Sequence, residues 1–266
     1  MAPTVVDATD VSPVILHAPH GSTRIPAIYR DQFSIDDDAL ARELLALTDH
    51  AVDRMVRGAL EVTAASAVIA EVSRLVVDVE RFPGDEEEMN AVGMGVLYTH
   101  GAWRDGIRTV PEAAGVQLLA HFAAYSRAIE RLVDRALDRH GRAVIVDVHS
   151  YPTRALPYEL RADGERPPLC VGYDDRHTTV ALREHVVEVF ADLEQRDNEP
   201  FAGAYVPLKH FGCNPRVQAV MLEIRRDQYM DEATGLVDGA AVDALGSAIA
   251  RLAERAGGAS EGIALS

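Results

Sequence analysis

VIVDVHSYP, Val144–Pro152, is a run of branched apolar residues that ends in Asp147, His149 and Ser150. Consecutive apolar positions suit a strand covered on both faces, the habit of a mainly parallel sheet. In open α/β sheets, side chains converge where the strands leave the core at their carboxyl ends. His149 is therefore expected where a buried strand meets a cleft.

Similar runs recur at PVILHA (13–18), AVIAEV (67–72), RLVVDV (74–79), LCVGY (169–173) and VQAVMLEI (217–224). Helical patterns lie between them. Segment 37–60 has an acidic start and apolar Leu40, Leu44, Leu45 and Leu47, with an apparent break before Asp49. Segment 112–140 repeats Leu118, Leu119, Phe122, Ile129, Leu132, Val133 and Leu137 at helical spacing and stops at Gly141, a C-terminal cap. Thr178 or Thr179 caps a helix running to about Leu193, and 239–256 closes the chain as another. This alternation predicts a three-layer α/β/α fold with a mixed, mainly parallel sheet, as one domain over residues 1–266. The polar stretches 82–111, 151–168 and 195–216 exceed simple connections, and long ordered loops usually carry function.

Forty-two acidic against 26 basic side chains give a formal charge of -16, which repels phosphate backbones, and no Lys/Arg block offsets it. Nucleic acid is thus not an expected partner. No run of eighteen apolar residues occurs and the N-terminus lacks the pattern of a signal peptide, so a cytoplasmic protein without a membrane partner is expected. The oligomeric state is left open. Cys170 and Cys213 have no CxxC spacing and read as reduced, buried apolar fillers. Any metal must come to histidine and carboxylate.

Four proposed strand ends carry chemistry: His17 and His20 in HAPHGS; Arg74, Asp78, Glu80 and Arg81 in SRLVVDVER; Asp147 and His149 in DVHSYP; Glu223, Arg225 and Arg226 in MLEIRR. A histidine after a strand is often only a hydrogen-bonding residue. Two at the same end of one sheet, with acids nearby, suit a zinc site with one position open to water. Asp49 reads either as the acidic ligand or as the N-cap of a new helical turn. Glu223 sits in a strand that should be interior, where a lone carboxylate must be paired, metal-bound or protonated. It reads as a general base or as the partner of Arg225, two residues on. Arg74, Arg81 and Arg154 offer bidentate donors to substrate carboxylates, or simply neutralise acidic neighbours. GDEEEMN (84–90) reads as a solvated acidic loop. Neither a GxSxG elbow nor a nucleotide-binding glycine pattern is present.

Taken in order, APHGSTRIP, TDHAVDRM, SRLVVDVERFP, GVLYTHG, VDVHSYP and VQAVMLEIRRDQYMD resemble the N-formylglutamate amidohydrolase family, over about residues 13–255. That family is similar in architecture to zinc carboxypeptidases. Those enzymes present a His-Ser-Tyr and a glutamate before an aliphatic-Arg pair, matching His149-Ser150-Tyr151 and Glu223-Ile224-Arg225. The resemblance implies a zinc-dependent hydrolase with a small-molecule substrate. It would cleave N-formyl-L-glutamate to formate and glutamate, the last step of one route of histidine degradation.

On the resemblance, His20 and His149 are zinc ligands. Carboxypeptidases take their acid three residues after the first histidine, where Thr23 and Arg24 stand here, so Asp49 becomes the substitute. Glu223 then takes the proton of the attacking water, and Arg74 stabilises the oxyanion. Arg81 and Arg154 fix carboxylates, and Asp147 orients a ligand histidine. The family commonly carries Asn-Arg where this chain has Glu80-Arg81, so glutamate stands where an asparagine would donate to substrate. Two alternatives stand beside this reading: a zinc deacylase or carboxypeptidase acting on another N-acyl amino acid or small peptide, and a metal-free binding protein of the same fold.

Overall fold

Ala143–Tyr151 is a nine-residue strand buried along its whole length. It stands in the middle of a seven-stranded sheet in the computed structural model, which describes residues 2–258. Residues 1 and 259–266 of the expected domain lie outside the described residues. The strands are β1 (Thr4–Val6), β2 (Val14–Ala18), β3 (Ser66–Ile69), β4 (Ala143–Tyr151), β5 (Leu169–Gly172), β6 (Gln195–Asp197) and β7 (Val217–Arg225). Their order is β1-β3-β2-β4-β7-β5-β6. The central strands β3, β2, β4 and β7 run parallel, β5 and β6 pair in parallel, and antiparallel pairings join β1 to β3 and β5 to β7. The sheet is mixed and mainly parallel, as the two-faced apolar runs predict.

The helices are α1 (Ala27–Arg30), α2 (Asp37–Leu47), α3 (Val52–Val62), α4 (Glu112–His140), α5 (Val180–Val189) and α6 (Gly239–Gly257). Gly141 caps α4 with a left-handed φ of 72°, and Thr179 caps α5 through its side chain. The alternation of strand side chains sets up two cores. Leu16, Val146, Val148, Leu222 and Ile224 pack with α3, α5 and α6. Ile15, Val68, Ile145 and Ala219 pack with α4 on the opposite face. Each fully buried aliphatic side chain contributes about 1.5–3 kcal/mol. His17, Asp147, His149 and Glu223 share the parity of the α4 face, so polar groups interrupt that layer at one end of the sheet.

Segment 74–79, expected as a strand, is instead a buried turn. Both edges of β3 are already taken, by β1 and β2. Leu75, Val76, Val77 and Val79 still enter the α4-side core, which accounts for their apolar character. Their backbone is satisfied elsewhere. Arg108 Nη1 donates to the Leu75 and Val76 carbonyls at 2.8 and 2.7 Å, and the Asp78 N–H donates to Val96 O at 2.8 Å. Two short edge strands, β1 and β6, escape the periodicity because each has only three residues and none of them is buried.

Candidate metal-binding active site

The site gathers where β2, β4 and β7 end and the 70–81 segment crosses them. His149 and Glu223 are partners in the β4–β7 register, so their side chains stand side by side on the α4 face. His20 follows β2, and its carbonyl accepts from the Asp49 N–H at 3.0 Å, which ties the loop after β2 to the break between α2 and α3. Gly21 permits this approach, because a Cβ there would lie 3.1 Å from the backbone of Asp53. At the break, Ala51 adopts a left-handed φ of 60°, a conformation that costs an alanine about 1–2 kcal/mol. It lets α3 begin at Val52 while Asp49 turns inward. Ala51 is the N-cap of α3 and no side chain caps it, so Asp49 is not serving as a cap.

The Nδ1 atoms of His20 and His149 are 3.3 Å apart. Asp49 Oδ2 lies 3.7 Å from the first and 3.1 Å from the second. All three residues are buried. The other carboxylate oxygen of Asp49 is 3.4 Å from Ser150 Oγ, which donates to it, and 3.6 Å from Arg226 Nη2. Burial pushes the Asp49 carboxyl up, but hydrogen bonds from His149 and His20 outweigh it and hold the group well below the usual range.

Behind the rings lies a second layer of carboxylates. His20 Nε2 is 2.8 Å from Asp78 Oδ1. His149 Nε2 is 3.0 Å from Asp147 Oδ1, in ion-pair range though without hydrogen-bond alignment. Asp147 also takes His17 Nδ1 at 2.8 Å. Burial disfavours a charged His149, yet the charges of Asp147 and Glu80 override it and raise its pKa well above the ordinary value. Asp78 is the hub of the 70–81 segment, bound by Arg74 Nη2 at 2.9 Å and the Tyr98 hydroxyl at 2.8 Å, with Arg81 Nε at 3.3 Å. Burial works against its charge, and His20, Arg74 and Arg81 overcome that to hold its pKa well below the usual range.

The chain matches the family model described as N-formylglutamate amidohydrolase over residues 12–230. It belongs to the N-formylglutamate amidohydrolase family. The crystal structure of N-formylglutamate amidohydrolase from Ralstonia eutropha superposes with a TM-score of 0.77 at 20% identity, over 96% of this chain and 98% of that one. A gene product of Agrobacterium tumefaciens superposes with a TM-score of 0.67, also at 20% identity, over 96% and 94%. No curated protein sequence matches the chain. A member of this amidohydrolase family is an enzyme that hydrolyses an amide bond, and the matched span contains every site residue named above. No helix among the described residues is long and apolar enough to cross a membrane.

The donor set fits a divalent ion. A tetrahedral ion with bonds of about 2.0–2.1 Å spaces its ligand atoms about 3.3–3.4 Å apart. The separations of 3.3, 3.7 and 3.1 Å bracket that value. Glu80 is a second acid at the same place: its carboxylate oxygens lie 3.6 Å from His20 Nδ1 and 3.3 Å from His149 Nε2. His20, Glu80 and His149 therefore form a potential metal-holding group, and so do His17, Glu80 and Asp147. The sequence marks Glu80 only as a neighbour of substrate and assigns no role to Asp78 or Arg226. The one signal was the spacing of acids in VDVER, which puts Asp78 and Glu80 two residues apart.

A cavity of about 280 Å³ opens over the cluster, lined among others by Arg74, Glu80, Arg81, Tyr158, Arg161 and Glu223. Glu223 is buried and its Oε2 has no partner. Burial pushes its carboxyl up to about 8. Arg225 pairs with Asp227 at 2.8 Å and leaves Glu223 alone. Arg154 is exposed and lines no part of this cavity. Glu87, in the stretch expected as a solvated acidic loop, is buried and accepts the Phe82 and Met89 N–H groups, both at 2.9 Å. Cys170 is buried as expected, but Cys213 is exposed.

Proposed function

We propose that this chain hydrolyses the formamide C–N bond of N-formyl-L-glutamate to formate and L-glutamate, with zinc held by His20, Asp49 and His149. The observation that carries this reading is the convergence of two imidazole Nδ1 atoms and one carboxylate oxygen within 3.7 Å of one another, beside the unpartnered Glu223. Two imidazole nitrogens and a carboxylate oxygen at these separations suit a shared divalent cation. Bound there, zinc supplies the positive charge that polarises the formyl carbonyl and makes water acidic enough to attack.

The remaining steps belong to the chain's own residues. Glu223 accepts the proton of the attacking water and returns it to the departing amine nitrogen. A carboxyl whose pKa lies near the working pH suits both transfers. Arg74 lines the cavity with its charge directed by Asp78 and Tyr98, and it stabilises the oxyanion that develops on the formyl oxygen. Arg81 lines the cavity, with its Nε paired to Asp78 at 3.3 Å, and its guanidinium receives a substrate carboxylate. Asp78 fixes the ring orientation of His20 through its hydrogen bond, and Asp147 attracts His149 electrostatically from behind.

The test is formate release from N-formyl-L-glutamate by protein stripped with a chelator and reloaded with zinc. Activity that falls on stripping and returns with zinc is expected. No formate release from zinc-loaded protein, or equal rates with and without metal, overturns the reading.

A further inference from the structure

A second cavity, of about 340 Å³, adjoins the first. Glu80, Arg81, Ala202 and Met221 line both, so they form a common wall. The rest of the chamber is mostly apolar, with Val79, Phe82, Phe122, Val206, Leu208 and Phe211 among its walls. Three of these are large apolar side chains left open to solvent: Phe82 at 38%, Phe211 at 40% and Leu208 at 52% exposure. Phe82 and Phe211 meet edge to face at 6.0 Å. Single exposed apolar residues are ordinary, but three gathered on one concave surface mark a binding site.

The charges narrow the occupant. Glu80, Glu130 and Asp174 line the chamber against one cation, Arg81, which stands on the wall shared with the first cavity. A carboxylate entering this space would face three like charges, whereas an apolar group gains from burial against the phenylalanine rings. A formyl group carries only hydrogen on its carbon and has no use for the space. The side chain of glutamate, bearing its own charge, is ill-suited to it. Met221 stands at the junction, and a flexible thioether can adapt to different shapes there.

We infer that this chamber is a second arm of the substrate site that holds an apolar group, of aromatic or branched aliphatic size, carried by an N-acyl amino acid whose amide lies at the His20–Asp49–His149 cluster. The inference rests on the amidohydrolase reading above and widens its substrate class. The apolar group has two possible sources, the amino-acid side chain or the acyl chain, and both present the same chemistry to the chamber.

The test compares zinc-loaded parent protein with Ser126→Phe, a substitution on α4 that narrows the chamber without touching the cluster. Rates are measured on N-formyl-L-glutamate, N-formyl-L-phenylalanine and N-phenylacetyl-L-glutamate, and the last two distinguish side chain from acyl chain. The expected result is kcat/KM for one aromatic substrate at least equal to that for N-formyl-L-glutamate, with Ser126→Phe lowering it at least tenfold while N-formyl-L-glutamate is unaffected. Aromatic substrates turned over a hundredfold less well, or an equal loss on all three, overturn the inference. Should no substrate be hydrolysed, the amidohydrolase reading fails by itself, and calorimetric binding of 3-phenylpropanoate against glutarate decides the chamber. Tighter binding of the aromatic acid that Ser126→Phe abolishes supports it, and equal binding of the two acids overturns it.

Discussion

His20 and His149 face each other through their Nδ1 atoms at 3.3 Å, and each ring has a buried aspartate at its far nitrogen. A carboxylate behind an imidazole fixes its tautomer and raises its basicity as a ligand, and loss of such a partner typically costs 10–100-fold in metal affinity. Asp78→Asn is therefore expected to weaken zinc binding by about that factor, roughly 10–100-fold, while the ligands themselves stay in place. Competition with a chromophoric chelator measures it. Because Asp78 also binds Arg74 and Tyr98, a thermal melt of both proteins accompanies the titration; unchanged affinity in a folded variant removes Asp78 from the support of His20.

Glu223→Gln separates holding the metal from moving protons. Glu223 is a register partner of His149 rather than one of the three converging donors, and glutamine keeps its shape without its basicity. Zinc content should match the parent, and kcat should fall by about 10²–10⁴, the usual contribution of a positioned acid–base group. Metal analysis and steady-state kinetics on one preparation check both halves. Normal turnover at full zinc content would exclude Glu223 from proton transfer.

The order of apolar runs was enough to read the sheet, because β2, β4 and β7 are buried by helices packed on both faces, the habit of a mainly parallel sheet. Segment 74–79 is the exception: Leu75, Val76, Val77 and Val79 are as buried as strand residues, and burial alone does not reveal that Arg108, far along the chain, satisfies the Leu75 and Val76 carbonyls. His20 and His149 were legible as strand-end histidines. Asp78 and Glu80 were visible but not assignable, since their roles depend on how a turn aims them at rings contributed by β2 and β4. No local pattern encodes that. Arg154 shows the reverse case, a residue of suitable chemistry that the loop after β4 carries away from the cavity.

Glu43, on α2, gives a pH effect away from the cluster. It is buried, and its Oε2 accepts the Ala102 N–H at 2.8 Å. Burial raises its pKa above the usual 4.5, with the Ala102 hydrogen bond opposing. An acid whose pKa is higher folded than unfolded contributes stability fully present below the unfolded value and lost as pH rises through the folded one. Glutamine keeps an acceptor for Ala102 and does not titrate. Glu43→Gln should thus gain stability relative to the parent as pH rises through that window. Urea unfolding at mildly acidic and mildly alkaline pH checks it, and a difference that does not change with pH counts against the buried acid.

The two cysteines differ in a way their sequence context does not announce. Cys170, in β5, is buried, its Sγ is 3.2 Å from the Phe201 carbonyl, and burial pushes its thiol up to about 12. Cys213 lies exposed on a loop. Since the thiolate is the reactive form, Cys170 should be inert in the native state and Cys213 accessible to reagent. A colorimetric thiol reagent near neutral pH should modify a single thiol per chain rapidly, and both after unfolding in denaturant. The Cys213→Ser variant should leave a native protein that reacts only as fast as β5 opens, so its labelling rate reads the local stability of that edge of the sheet. Rapid labelling of that variant under native conditions would show Cys170 to be accessible, contrary to the packing of β5 against β7.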